Sequence, residues 1–148
     1  MRTTSVVVID DEEPMCEGCR QTLEESGFGT AVALNGTEGI RLLEEIKPDV
    51  VLVDLKMPGV SGIEVLRRIP EIDLHIVPIV ITGYATIDSA VESMKIGAFD
   101  YLTKPCDISE LMLKLKAAHE KRIAALDKIQ KAKIERIISH PMEAFVKD

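Results

Sequence analysis

Residues 50–54 read Val50-Val51-Leu52-Val53-Asp54, four aliphatic residues that end in a single acid. An uninterrupted aliphatic run of this length is typical of a strand that is buried on both faces of a parallel sheet. Similar runs occupy 5–9 and 77–81, a shorter one lies at 99–102, and a weaker one at 30–34. The sequence therefore predicts five short strands.

Helical patterns separate these strands, with turn residues at their ends. Asn35 is suited to cap the second helix, and Gly97 to end the fourth. The predicted helices begin near Pro14 and then cover 37–46, 63–69, 89–96 and 108–138. The residues predicted to face inward are Leu42, Leu43 and Ile46 on the second helix and Ala90, Val91 and Met94 on the fourth. Because parallel strands need crossover connections, this alternation predicts an α/β fold with helices on both faces of a parallel sheet.

Polar residues follow four of the predicted strands. Asp10 and Asp11 come after the first, Asp54 after the third, Thr82 after the fourth and Lys104 after the fifth. In open parallel sheets the working site lies outside the carboxyl ends of the strands. We therefore expect three carboxylates, one hydroxyl and one amine to converge at one edge of the sheet.

These groups suit the transfer of a phosphoryl group. Three neighbouring carboxylates repel one another and stay ionised only near a positive charge, and Mg²⁺ is a cation that prefers oxygen ligands. Lys104 and Thr82 are side chains that can hold phosphoryl oxygens. Asp54 is the natural nucleophile, which gives an aspartyl phosphate.

Other interpretations of these residues fit less well. Each residue alone could be a turn former or a helix cap. A Mg²⁺-dependent aspartyl-phosphate phosphatase or mutase, the main alternative, would carry a second acid two residues after the nucleophile, where this chain has Lys56. A flavodoxin-like cofactor binder would need a Ser-, Thr- and Gly-rich loop after the first strand, but 10–13 are all acidic.

Four motifs carry a resemblance to a known family. They are Val8-Ile9-Asp10-Asp11-Glu12, 51–59, Ile81-Thr82-Gly83-Tyr84 and 97–105, which ends in Thr103-Lys104-Pro105. In this order and spacing they resemble the receiver domain of two-component response regulators, over about residues 5–115. The resemblance implies a flavodoxin-like, doubly wound sheet of five parallel strands in the order 2-1-3-4-5, with five helices, the last of them extended here.

The resemblance also implies roles for single residues. Asp54 would accept the phosphoryl group from the phosphohistidine of a sensor histidine kinase, and Thr82 and Lys104 would hold its oxygens. The residues implied for Mg²⁺ are Asp11 and Asp54 through their carboxylates, Lys56 through its main-chain carbonyl, and Asp10 largely through water. Such a protein is a signalling switch rather than an enzyme.

Two further residues belong to the implied switch. Pro105 would follow a cis peptide bond that aims Lys104 inward, and Tyr101 would move inward on phosphorylation, which changes the surface of the fourth helix, fifth strand and fifth helix. Tyr101 could equally be an edge residue with a solvated hydroxyl. The run 90–102 resembles receivers of the nitrogen-regulation type, which drive enhancer-dependent transcription.

Composition limits the partners and the location. The net charge is −7, and the negative excess lies entirely in the first 118 residues, so a general nucleic-acid surface is not expected. The apolar runs are too short to cross a bilayer, and no signal peptide is evident, which predicts a cytoplasmic protein. Cys16, Cys19 and Cys106 are interpreted as ordinary reduced thiols.

The last predicted helix has no Gly or Pro between Pro105 and Pro141, so it would be roughly 46 Å long and project beyond the domain. We therefore divide the chain into a receiver domain at 1–118 and a helical extension at 119–148. Its apolar positions are Ile123, Leu126, Ile129, Ile134, Ile137 and Ile138. They favour a dimerising coiled coil or a linker toward an output module or downstream protein, although a solvated extension remains the alternative.

Overall fold

The computed structural model describes residues 3–139, which form a five-stranded parallel sheet with helices on both faces. The strands are β1 (Ser5–Ile9), β2 (Gly29–Ala33), β3 (Val50–Val53), β4 (Val77–Thr82) and β5 (Asp100–Thr103). The helices are α1 (Glu13–Glu25), α2 (Gly36–Ile46), α3 (Gly62–Ile72), α4 (Ile87–Ile96) and α5 (Ile108–Ser139). The predicted alternation of strands and helices is confirmed.

The sheet has the order β2-β1-β3-β4-β5, as expected. All four pairs are parallel, and the register places Val8 beside Leu52 and Leu52 beside Ile79. Every residue of β3 and β4 is buried, because one apolar cluster covers each face of the sheet. This two-sided burial explains why their sequences are continuous aliphatic runs.

Helix α2 begins as the sequence predicts, since the Asn35 side chain accepts a hydrogen bond from the Glu38 amide at 2.8 Å. Leu43 is fully buried and Leu42 packs against the core, but the inward prediction for Ile46 is wrong: its side chain is 40% exposed. Ile46 is the last residue of the helix, and the chain turns away at Lys47, which adopts a left-handed conformation.

On α4 the predicted inner face is wrong for two of its three residues. Val91 and Met94 are exposed, while Ala90 is half-buried. The fully buried residue of this helix is Ser93, whose hydroxyl donates to the Ser89 carbonyl at 2.7 Å. A serine satisfied within its own helix is small and carries no unpaired donor, so it can take the position closest to the sheet.

Helix α5 is continuous from Ile108 to Ser139, and its predicted end at His140-Pro141 lies outside the described residues. Leu111, Leu115 and Ala118 face the core, and one turn later so does Arg122. Arg122 Nε lies 2.6 Å from Asp49 Oδ1 and Nη2 lies 3.8 Å from Asp73 Oδ2. The contact between Nε and Asp49 is an ion pair and not a hydrogen bond, because the N–H group of Nε does not point at the carboxylate oxygen. The part of α5 that follows residue 118 therefore still contacts the domain, through Arg122.

Within residues 3–139, no helix combines the length and the apolar character that a membrane span requires.

Candidate functional site

Two adjacent strands place the first two acids of the site. Ile9 pairs with Val53 in the register of β1 and β3, and the Asp54 amide donates to the Ile9 carbonyl at 2.9 Å. Asp10 and Asp54 therefore follow neighbouring strands at the same edge of the sheet. They are 1% and 4% exposed, so both carboxylates are withdrawn from water.

Lys104 directly follows the carboxyl end of β5, and its side chain extends to Asp10 and Asp54. Its ammonium lies 2.6 Å from Asp10 Oδ2, 2.9 Å from Asp54 Oδ2 and 3.2 Å from Glu12 Oε1. The Lys104–Pro105 peptide bond is cis, in agreement with the expectation, and the Lys104 amide donates to the Thr82 carbonyl at 2.9 Å. One ammonium thus contacts three carboxylates.

The other oxygen of Asp54 accepts two hydrogen bonds. Thr82 donates its hydroxyl to Asp54 Oδ1 at 2.7 Å, and the Lys56 amide donates to the same atom at 3.2 Å. The Thr82 hydroxyl in turn accepts from the Tyr84 amide at 3.0 Å, which orients it toward Asp54. Both oxygens of Asp54 are therefore held by donors that a phosphoryl group could also use.

Burial and pairing set the charge states of the site. Burial raises the pKa of the Asp10 carboxyl above its ordinary value, against the hydrogen bond from Lys104, which lowers it. For Lys104, burial lowers the pKa, but the hydrogen bonds and charges of Asp10 and Asp54 outweigh it and raise the pKa overall. Lys104 is therefore a permanent cation, and the cluster keeps an excess of negative charge.

The acidic cluster of the structure differs in one residue from the one that the sequence predicts, because Glu12 takes the place of Asp11. Carboxylate oxygens of Asp10, Glu12 and Asp54 lie within 4.8 Å of one another, whereas Asp11 is exposed and outside this group. An all-oxygen set of carboxylates fits a hard divalent cation such as Mg²⁺. Glu12 was not among the predicted ligands, and its position directly after the Asp10-Asp11 pair is the only sequence signal for it.

The loop after Asp54 depends on a glycine. A Cβ atom on Gly62 would collide with the main-chain carbonyl of Asp54, so no other residue fits there without moving the backbone. The Gly62 amide donates to the Leu55 carbonyl at 2.9 Å and closes the loop. Lys56, within this loop, lies over the ring of Tyr84, with Nζ 4.5 Å from the ring centroid.

Tyr101 lies between the core and the surface of α4. Its ring is half-buried against the apolar cluster, and its hydroxyl is 2.7 Å from the Ser89 hydroxyl and donates to the Tyr84 carbonyl at 3.2 Å. The hydroxyl is therefore held by protein atoms. The Tyr84 amide also donates to the Thr82 hydroxyl, so a path of three hydrogen bonds, through Tyr84 and Thr82, joins Tyr101 to Asp54.

The cysteines are free thiols. Cys16 is buried, and its thiol donates to the Asp10 carbonyl at 3.1 Å. Burial raises its pKa to about 12, and burial also raises the pKa values of Cys19 and Cys106. These raised values fit the interpretation of ordinary thiols, since reactive cysteines need a lowered pKa.

Fold and site together define a CheY-like α/β protein with an acidic cluster at the carboxyl edge of its sheet. Comparison with solved structures agrees: a response regulator receiver domain from Clostridium thermocellum superposes with a TM-score of 0.79 and 35% identity, over 82% of this chain and 98% of that one. A CheY-like receiver domain from Methanospirillum hungatei JF-1 gives a TM-score of 0.81 at 26% identity, over 84% and 99%.

The family model of the response regulator receiver domain matches residues 6–116. Sporulation initiation phosphotransferase F of Bacillus subtilis is 33% identical over 111 residues, which cover 75% of this chain and 90% of that protein. The regulatory protein AtoC of Escherichia coli is 37% identical over 73% of this chain, but the match spans only 23% of AtoC. The chain belongs to the response regulator receiver family, whose members are signalling switches phosphorylated on an aspartate.

The matched segment covers about half of another relative, the transcriptional regulatory protein YkoG of Bacillus subtilis. Many relatives are thus longer regulators.

Proposed function

We propose that this chain is a phospho-accepting switch in which Asp54 is the phosphorylation site. The observation that carries the proposal is the setting of Asp54: Lys104 lies 2.9 Å from one carboxylate oxygen and Thr82 lies 2.7 Å from the other. An ammonium and a hydroxyl on opposite oxygens of one buried carboxylate are placed to hold phosphoryl oxygens once that carboxylate has attacked phosphorus.

The donor is the phosphohistidine of a sensor histidine kinase. An oxygen of Asp54 forms the new O–P bond as the N–P bond to the imidazole breaks, and the imidazole nitrogen keeps the bonding electron pair. Lys104 and Thr82 then exchange their contacts with Asp54 for contacts with the phosphoryl oxygens. Because catalysis consists of positioning and charge neutralisation, no further general acid is needed.

A Mg²⁺ ion fits the acidic cluster and would neutralise charge on the transferring group. We assign it to Asp10, Asp11 and Asp54 with the main-chain carbonyl of Lys56, and Asp10 acts mainly through water. The exposed Asp11 side chain is free to turn toward the ion, whereas Glu12 already contacts Lys104 at 3.2 Å. Receiver domains bind Mg²⁺ at such an acidic pocket, which supports this assignment.

Phosphorylation is read out through Thr82 and Tyr101. When Thr82 moves toward the phosphoryl group, its hydroxyl no longer accepts the hydrogen bond from the Tyr84 amide. Tyr101 then loses its fixed position beside Ser89 and Tyr84. The surface formed by α4, β5 and α5 then changes, which biases an equilibrium between two states. The exposed Val91 and Met94 belong to this surface.

The downstream partner is an output module or a separate protein, as expected of a receiver at 1–118 with a helical extension at 119–148. The subtype is that of nitrogen regulation, on the resemblance of residues 90–102 to receivers of that type. Self-association through α5 or through the α4–β5–α5 surface is part of the same proposal. The alternative of a phosphatase or mutase is not favoured, since Lys56 occupies the place of its second acid.

A small acyl phosphate with Mg²⁺ tests the acceptor directly. We expect intact-mass spectrometry to show the addition of one phosphoryl group to the chain and to the control Asp88→Asn, which removes an exposed acid from α4. Asp54→Asn should add none. Acid-stable addition, or unchanged addition in Asp54→Asn, would refute Asp54 as the acceptor.

The metal assignment has its own test. Calorimetric titration with Mg²⁺ should show a larger loss of affinity for Asp11→Asn than for Glu12→Gln. The reverse order would transfer the ligand role to Glu12, as the distances alone suggest.

A further inference from the structure

The part of α5 after Arg122 exposes a stripe of aliphatic side chains. Ile123, Ile134 and Ile137 are each about half exposed, at 52%, 46% and 49%, and Leu126 is 37% exposed. At 3.6 residues per turn, these four residues and Gln130 fall within a sector of about 80° on one side of the helix. Within residues 3–139, no other element covers this side of the helix. Contiguous exposed apolar residues mark an interaction surface.

The stripe is symmetric about Gln130. Ile123 and Ile137 each lie seven residues from it, and Leu126 and Ile134 each lie four residues from it. When two copies of this segment are laid face to face, in either direction, Gln130 meets Gln130 and every aliphatic residue meets another. A glutamine amide both donates and accepts, so two copies can hydrogen-bond to each other. A single polar residue in such a seam fixes the register.

The charges beside the stripe also suit a second copy. Asp127 and Lys131 lie 3.1 Å apart on one flank, and Lys133 lies on the other flank. Mixed signs would give a polyanion such as nucleic acid, or an anionic lipid surface, little to bind. They are compatible with the polar rim of a protein interface.

Arg122 determines where the stripe lies relative to the sheet. Asp49 precedes β3, so the Arg122–Asp49 ion pair lies at the amino edge of the sheet, opposite the edge that holds Asp54. The stripe begins at the next residue and continues away from the domain. Within residues 3–139, the side-chain hydrogen bonds of Thr82 and Tyr101, the two residues of the proposed switch, go to Asp54, Tyr84 and Ser89 rather than to the stripe.

We propose that residues 123–139 of α5 pair with the same segment of a second copy of this chain, and that this pairing does not require phosphorylation of Asp54. The receiver is then dimeric in both states, which leaves the α4–β5–α5 surface available for a separate, phosphorylation-dependent contact. The proposal selects one of the two self-association surfaces considered above and is independent of the chemistry at Asp54.

Light scattering on the whole unphosphorylated chain, without Mg²⁺, tests this pairing over a micromolar concentration range. We expect twice the chain mass of 16.3 kDa for the natural sequence. The variant I134Q/I137Q keeps good helix formers but interrupts the stripe, and should fall to the mass of one chain. The control K128Q/E135Q makes the same kind of change on the opposite side with no change in net charge, and should remain a dimer.

A third variant, V91Q/M94Q on the exposed side of α4, should also remain a dimer. Circular dichroism and urea unfolding establish that each variant keeps its helix content and its folded domain. A monomeric natural sequence, a dimeric I134Q/I137Q, or loss of the dimer in V91Q/M94Q would overturn the proposal. Because no phosphodonor is present, none of these results bears on Asp54 as the acceptor.

Discussion

Replacing Arg122 by methionine tests whether a charged residue anchors α5 to the domain. Methionine keeps an unbranched apolar stem of similar length and removes the guanidinium. In the native chain the side chains of Arg122 and Asp49 are 8% and 4% exposed, and Nε lies 2.6 Å from Asp49 Oδ1. The substitution therefore takes the cation away from a carboxylate that water scarcely reaches.

The expected cost follows from this burial. Removing one member of a buried ion pair destabilises a protein by about 3–5 kcal/mol, because the other charge stays in a poorly solvated place. We expect the lower end, about 3 kcal/mol, since Asp49 keeps other contacts, among them the Ser5 amide at 2.8 Å. With an unfolding entropy near 2.1 cal/mol/K per residue, that loss lowers the Tm by roughly 10 °C.

Urea unfolding of the whole chain, followed by circular dichroism, measures this loss. The control is Arg136→Met, which makes the same replacement at an exposed position of the same helix and should change the free energy of unfolding by less than about 0.5 kcal/mol. Adding Asp49→Asn to Arg122→Met should recover part of the loss, because no buried carboxylate then remains there. A loss below about 1 kcal/mol, or one equal to that of the control, would refute the anchoring role.

Three further outcomes are expected. Mg²⁺ at a hundredfold excess over its Kd should stabilise the chain by about 2.7 kcal/mol, and Asp54→Asn should abolish most of this rise in Tm; equal rises would place the ion elsewhere. Gly62→Ala should cost about 1–3 kcal/mol in urea unfolding, because its Cβ collides with the Asp54 carbonyl, and Gly18→Ala, which meets no atom, is the control. The pKa of Cys16 is raised to about 12 in the folded chain, so as the pH rises its thiol ionises in the unfolded chain first. The free energy of unfolding should therefore fall between pH 9 and pH 12 in the natural chain, and should fall less in Cys16→Ala.

The strands and the site edge could be predicted because their physical signals are local. A strand buried on both faces must be aliphatic throughout, and its end is marked by the first polar residue, as with Val50–Val53 and Asp54. Parallel strands bring such ends to one edge, so Asp10, Asp54 and Lys104 could be grouped before any distance was known. Their contacts of 2.6 and 2.9 Å follow from that topology.

Helix faces were less predictable, because hydrophobicity alone does not determine how a helix is rotated. On α4 the aliphatic Val91 and Met94 were expected inside, yet the position nearest the sheet is held by Ser93, which can bond within its own helix. The inward position of Arg122 carried no sequence signal either. A basic residue normally indicates a solvated face, and its partners Asp49 and Asp73 are 73 and 49 positions earlier in the chain.

The two ionic clusters of this domain differ in their access to water, and that difference separates their roles. At the carboxyl edge one ammonium meets three carboxylates, and the Glu12 side chain is 62% exposed, so ions from solution can enter and relieve the excess negative charge. At the amino edge Arg122 and Asp49 are almost fully enclosed, so their pair cannot exchange with dissolved ions. Helix α5 starts close to the first cluster and is tied to the second. The carboxyl edge of the sheet, which contains Asp54, is therefore the edge where bound ions and charge can change. The amino edge, from which the stripe of α5 projects, keeps its ion pair unchanged.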